Sequence, residues 1–211
     1  MGALWIKICG LRSVAAIAAA AQAGVQAVGF VFHAPSPRNL SVAQAVDLQG
    51  AVPPGIDRVA VFLHPSQPLL DAVVEAVRPD WVQADAADLA ALRLPAGQRV
   101  LPVVRGGAWR PGVSMRGTRL LFESARSGMG EQADWDEAAC LAREVDLVLA
   151  GGLDARNIGA AIAAVRPFGV DVSSGVESSR GVKDVGKIVE FVAAARAAHA
   201  RCGAHAIEEM H

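Results

Sequence analysis

Eight short apolar runs rich in Val, Ile and Leu recur along the chain at intervals of about 23 residues, and alanine-rich stretches with helical spacing lie between most of them. The runs are Leu4 to Cys9, Ala27 to Phe32, Arg58 to Leu63, Trp81 to Ala84, Val100 to Val104, Arg119 to Phe122, Asp146 to Ala150 and Phe168 to Val172. Apolar on both faces, they read as buried parallel strands. Amphipathic helices are expected over 13–23, 43–51, 69–77, 135–143, 156–165 and 184–196. Ser41-x-x-Gln44 and Asp134-x-x-Glu137 have capping-box spacing, and Asp154 precedes the helix containing Ile158 and Ile162. Residues 105–117 carry Gly, Pro and Trp with no helical period. Right-handed βα units in series give either a doubly wound open sheet or a closed barrel, and the count of eight favours an α/β fold of the (β/α)8 TIM-barrel type.

The chain has 211 residues, 53% hydrophobic and 19% charged, with formal charge −1. This length suits a single domain with a self-sufficient core, placed at 1–197, and a C-terminal tail over 198–211 that holds His199, His205 and His211. Without a run of Lys or Arg there is no electrostatic footprint for nucleic acid, and no such partner is expected. Apolar runs break well before the ~20 residues of a membrane span, so no membrane partner is expected either. The N-terminal residues lack a signal-peptide pattern, and a cytoplasmic location follows as the expectation. Cys9, Cys140 and Cys202 are odd in number and far apart, which fits neither a disulfide framework nor a C-x-x-C site. Trp5, Trp81, Trp109 and Trp135 are scattered and read as packing residues. Monomer and homodimer both stay open.

In such a barrel the carboxyl ends of the strands form the catalytic rim. Polar groups collect there: Cys9 after the first strand, His33 and Arg38 after the second, His64, Asp85, Arg105 and Glu123 after the next four, with Asp171 inside the eighth. His33, His64 and Asp85 have the composition of a two-histidine, one-carboxylate metal site. Consecutive strand ends diverge too far for that without dedicated support, and no metal is expected. Beside Lys7, Arg38 and a helix start, the Cys9 thiolate is expected to be favoured, fitting it as base or nucleophile. Glu123 follows Leu120-Leu121-Phe122, where partial desolvation would raise its pKa into the range of a proton donor; the alternative is a salt bridge to a nearby Arg.

The last two strands end in Gly151-Gly152-Leu153 and Ser173-Ser174-Gly175-Val176-Glu177. The Ser174-x-x-Glu177 spacing suggests a capped short helix with outward N–H groups, and loops after strands seven and eight are the usual phosphate site of this barrel. A phosphorylated small-molecule substrate is therefore expected. Gly128 and Gly130 in the sixth loop could add backbone donors.

Read in order, Lys7-Ile8-Cys9-Gly10-Leu11, Gly29-Phe30-Val31-Phe32 with Ser36-Pro37-Arg38, Leu149-Ala150-Gly151-Gly152-Leu153 with Asn157, and Gly169 to Glu177 resemble the phosphoribosylanthranilate isomerase family of tryptophan biosynthesis. The resemblance implies an Amadori rearrangement of N-(5-phosphoribosyl)anthranilate to 1-(o-carboxyphenylamino)-1-deoxyribulose 5-phosphate, without a cofactor. It further implies Cys9 as general base and Glu123 as general acid, with Arg38 on the anthranilate carboxylate. Asp171 would lie near the amine and hydroxyls, and Gly151, Gly152, Ser173, Ser174 and Gly175 would hold the phosphate.

The chain departs from the family pattern at three places. Glu123 stands where Asp is usual, Gln83-Ala84-Asp85-Ala86 replaces Gln-Leu-His-Gly, and Ser127-Gly128-Met129-Gly130-Glu131 replaces Gly-Gly-Thr-Gly-Lys. Two other readings follow: a phosphosugar isomerase that also accepts a histidine-pathway substrate, or a barrel that keeps the phosphate cradle as a binding module. Dual-substrate barrels usually carry a second carboxylate where Cys9 stands, which argues against the first.

Overall fold

The computed structural model describes residues 3–106, 118–124 and 133–208, without side chains beyond 203. Eight parallel strands close into a barrel in sequence order. They are β1 (Trp5–Cys9), β2 (Ala27–Phe32), β3 (Asp57–Phe62), β4 (Trp81–Asp85), β5 (Arg99–Arg105), β6 (Arg119–Glu123), β7 (Asp146–Leu149) and β8 (Gly169–Val172). All eight expected runs are strands, with ends that shift by a residue. Pairing of β1 with β8 closes the ring and sets Lys7 directly opposite Asp171.

The described helices are α1 (Val14–Gln22), α2 (Val42–Gln49), α3 (Gln67–Val77), α4 (Ala86–Ala91), α5 (Trp135–Leu141), α6 (Ile158–Val165) and α7 (Val185–Glu208). Ser13 and Ser66 cap α1 and α3, and Ser41 with Gln44 forms the expected capping box at α2. Helix α4 was not expected: six residues with none buried leave no apolar period to read. The aperiodic segment 107–117 lies outside the described residues. A 3-10 turn (Ser174–Val176) and a hairpin of β9 (Glu177–Ser179) with β10 (Val182–Lys183) separate β8 from α7.

The segment expected as a tail continues α7 instead, to Glu208. Its alanines favour helix, and Ala195 and Ala198 are buried, so packing sustains the helix beyond 196. Among the described residues, no helix is long and apolar enough to cross a membrane.

Two apolar clusters result. Ile6, Ile8, Val28, Phe30 and Phe122 belong to the larger one, which the helices cover, while Trp5, Ala27, Val59, Leu101, Leu121 and Val148 form the smaller one inside the barrel. At the amino end of the barrel the Arg119 guanidinium lies 5.4, 5.1 and 4.2 Å from the rings of Trp5, Trp81 and Phe168. Trp5 and Trp81 thus pack as expected; Trp109 lies outside the described residues. This end closes the barrel, and the opposite rim is left for chemistry.

Candidate active site

Two adjoining cavities open at the carboxyl rim. The larger, about 220 Å³, is lined by Cys9, Arg38, Asp85, Arg105, Glu123 and Asp171, with an apolar wall that includes Val31, Val61, Phe62 and Leu63. The smaller, about 50 Å³, is lined by Ser124, Gly151, Gly152, Ser173 and Ser174 among others. Glu123, Asp171 and Ser173 line both, so they form the shared wall.

Cys9 ends β1 and is buried, and Lys7, two residues earlier on the same inward face, is fully buried. Lys7 Nζ donates to Asp171 Oδ1 at 3.0 Å. Burial works against the Lys7 charge, but Asp171 and Cys9 outweigh it and hold the ammonium above its ordinary value. The Cys9 thiol departs from expectation. Burial pushes it up rather than down, against the pull of Lys7, with Asp171 pushing the same way and Lys183 opposing. The cationic neighbours are present; removal from water outweighs them.

Arg38 lies in the turn after β2. Its Nε donates to Glu177 Oε1 at 2.7 Å and its Nη2 to Glu177 Oε2 at 3.0 Å. Glu177 also accepts from Lys183 Nζ at 2.8 Å and from the Gly181 N–H at 3.0 Å. Burial disfavours its charge, yet these donors hold the carboxyl down to about 2. The capping role suggested by Ser174-x-x-Glu177 does not form. Ser173 occupies the cap position of the 3-10 turn but its hydroxyl is engaged by the Cys9 carbonyl rather than capping the turn, and Glu177 is turned toward two buried cations.

Glu123 ends β6 directly opposite Arg105 on β5. Arg105 Nη1 donates to Glu123 Oε1, and Arg105 Nη2 donates to Asp85 Oδ1 at 2.6 Å. Of the two readings of Glu123, the structure thus shows the salt bridge. Burial opposes the Arg105 charge, and its two carboxylate partners more than restore it.

The phosphate-site residues divide. Gly151 and Gly152 have φ of 90° and 65°, a left-handed path that only glycine follows without strain. Asn157 Nδ2 donates to the Gly152 carbonyl at 2.7 Å and fixes that turn. Ser173 Oγ donates to the Cys9 carbonyl at 3.1 Å, which ties the cradle to the strand of the thiol. Gly175 lines neither cavity but a third one, with Asp154, Arg156 and Lys187. Gly128 and Gly130 lie outside the described residues.

Of the candidate metal ligands, His64 and Asp85 come together with Asp88 rather than with His33, their ligand atoms within 4.8 Å of one another. His64 Nδ1 is already bonded to Asp88 at 3.0 Å and Asp85 to Arg105, so protein partners hold these groups.

Sequence reasoning missed the Lys7–Asp171 pair, the bridging role of Arg105 and the contacts of Lys183. It also missed Gln83, which lines the larger cavity and whose buried Oε1 has no hydrogen-bond partner among the described residues. Only the alternation of β1, which points Lys7 to the same side as Cys9, offered a local signal.

Residues 6–194 match the family model for N-(5'-phosphoribosyl)anthranilate (PRA) isomerase. A curated relative of that name from Nitrobacter hamburgensis is 37% identical, over 92% of this chain and 94% of its own. TrpF from Jonesia denitrificans superposes with a TM-score of 0.77 at 36% identity, over 93% of this chain and 98% of its own. A phosphoribosyl anthranilate isomerase solved in complex with reduced 1-(o-carboxyphenylamino)-1-deoxyribulose 5-phosphate superposes with a TM-score of 0.72 at 27% identity, over 92% and 99%. With the family model spanning nearly the whole barrel, the chain belongs to the N-(5'-phosphoribosyl)anthranilate isomerase family.

Proposed function

We propose that the chain catalyses the Amadori rearrangement of N-(5'-phosphoribosyl)anthranilate, with the phosphate in the smaller cavity and the ribose and aromatic ring in the larger. The observation that carries this reading is the shared wall. Glu123 and Asp171 border both cavities while Cys9 borders the larger, so one bound phosphosugar reaches an acid and a base together.

Glu123 donates a proton to the ribose ring oxygen as the C1–O bond breaks, and the nitrogen lone pair forms a C1–N double bond. That protonated Schiff base acidifies the C2 hydrogen. The fraction of Cys9 present as thiolate, which Lys7 and Lys183 favour against burial, removes it, and the electron pair left on C2 forms a C1–C2 double bond as the nitrogen regains its lone pair. The resulting enol becomes the ketone as O2 loses a proton and C1 gains one. One acid and one base suffice, each worth ~10²–10⁴-fold.

For its role Glu123 must carry a proton, so Arg105 has to lean toward Asp85, which already shares it. Arg38, lining the larger cavity, faces the anthranilate carboxylate, and Glu177 fixes the plane of its fork. Asp171, held by Lys7, lies near the amine and hydroxyls. Gly151, Gly152, Ser173 and Ser174 receive the phosphate, and Gly175 acts by letting the β8 turn approach the β7 loop closely.

The test is turnover of phosphoribosylanthranilate by purified protein, followed by loss of substrate fluorescence. Wild type consumes it and Cys9→Ala does not; an inert wild type overturns the reading.

A further inference from the structure

We infer that Lys183 is a positioning residue of the isomerase site, its ammonium fixing at once a serine of the phosphate cradle and the carboxylate that orients Arg38. This rests on the roles given above to Cys9, Arg38 and Ser173.

Lys183 reaches in from β10, outside the barrel strands, and its side chain is 2% exposed. Nζ donates to the Ser173 carbonyl at 2.8 Å, approaches Ser173 Oγ at 3.2 Å and donates to Glu177 Oε1 at 2.8 Å. These contacts use all three of its N–H donors. Ser173 borders both cavities and its hydroxyl bonds the Cys9 carbonyl. Glu177 forks onto Arg38. One buried ammonium therefore connects the two ends of the site, the cradle side and the carboxylate side, through single intermediates.

A neutral side chain of the same length would fill the space and lose both ties. Lys183 also acts at a distance on Cys9. The charged groups around the thiol are Lys7 on β1, Asp171 on β8 and Lys183 on β10. Lys7 is committed to Asp171 by their ion pair. Lys183 adds a positive charge that favours the thiolate, and burial pulls its own ammonium below the ordinary value despite Glu177. A residue that only held the hairpin in place would have no reason to influence the thiol.

The experiment compares Lys183→Met, Lys183→Arg and the double variant Lys183→Met with Glu177→Gln, all in a Cys140→Ser, Cys202→Ser background. Four quantities are measured: thermal midpoint, KM and kcat with phosphoribosylanthranilate, and the pH midpoint of Cys9 alkylation by iodoacetamide. Lys183→Met should raise KM about tenfold, the weight of one charge-assisted hydrogen bond, and move the alkylation midpoint to higher pH. Lys183→Arg keeps the charge and should stay within about threefold of wild type on KM. Lys183→Met keeps the Arg38–Glu177 pair and should stay folded, whereas the double variant also strips Arg38 of its carboxylate and should melt lower still, with KM and the alkylation midpoint displaced in both. A folded Lys183→Met variant with wild-type KM and an unmoved alkylation midpoint overturns the inference. Wild type that fails to turn over substrate overturns the assigned reaction instead, and the alkylation midpoints still decide whether Lys183 acts on Cys9.

Discussion

Arg38 and Glu177, 139 residues apart in sequence, meet through two parallel hydrogen bonds of 2.7 and 3.0 Å in a nearly dry setting. Breaking a buried pair from one side leaves the other charge uncompensated, at about 3–5 kcal/mol. Glu177→Gln should therefore lower the thermal midpoint by roughly 10 °C near neutral pH. The Glu177 carboxyl titrates near 2 in the folded state against an ordinary 4.5. Because the folded value is the lower one, its contribution is complete above about 4.5 and is lost as pH falls toward 2. Melting curves of both proteins from pH 7 to 2 should converge over that window; a gap that persists at pH 2 would show that the loss is one of packing.

The thiol of Cys9 is buried and pushed above its ordinary value, so little of it is thiolate in the free enzyme at neutral pH. Peptide-resolved alkylation should place its midpoint above about 8.5, the reference thiol value. Cys9→Ser should lower kcat by about 10²–10⁴ and leave the affinity for reduced product analogue nearly unchanged. A midpoint below the reference value would mean that Lys7 and Lys183 outweigh burial.

Arg105 donates to both Glu123 and Asp85. Asp85→Asn commits Arg105 to Glu123 alone, and kcat should fall about tenfold with KM within about threefold. Glu123→Gln should lose about 10²–10⁴ in kcat, while Glu123→Asp retains an acid and a substantial part of the rate. Equal losses for Gln and Asp at position 123 would remove Glu123 from the acid role.

Gly175 leaves room for the carbonyl of Leu153, which an added Cβ would overlap, and that Cβ would also stand 3.0 Å from Asp154 Cβ. Gly175→Ala must therefore push the β8 turn and the β7 loop apart. The expected cost is about 1–3 kcal/mol, with KM raised more than kcat because Gly152 belongs to the displaced loop. Denaturant unfolding together with steady-state kinetics checks both parts.

The barrel itself was legible. Parallel strands enclosed by helices must be apolar on both faces, so eight runs from Leu4–Cys9 to Phe168–Val172 stood out, and their carboxyl ends led to Cys9, Arg38, Glu123 and Asp171. Their partners were not legible. Lys7 and Asp171 face one another only because β1 closes on β8, and Arg38 finds Glu177 only because a hairpin returns over the rim. The capping spacing at Ser174 and Glu177 misled, since Glu177 is held instead by Arg38, 139 residues away, and by Lys183 across its own hairpin.

Cys9 draws the boundary most sharply. The order of residues along the chain was enough to place a thiol near a lysine at the end of the first strand, and glycine and serine turns after strands seven and eight. It took the closed barrel to show that burial pushes the thiol above its ordinary value, that Arg105 donates to two carboxylates, and that Lys183 contacts both Ser173 and Glu177. Apolar pattern is a property of neighbours along the chain. Desolvation and ion pairing depend on which distant groups the closed barrel brings together and on how much water it removes.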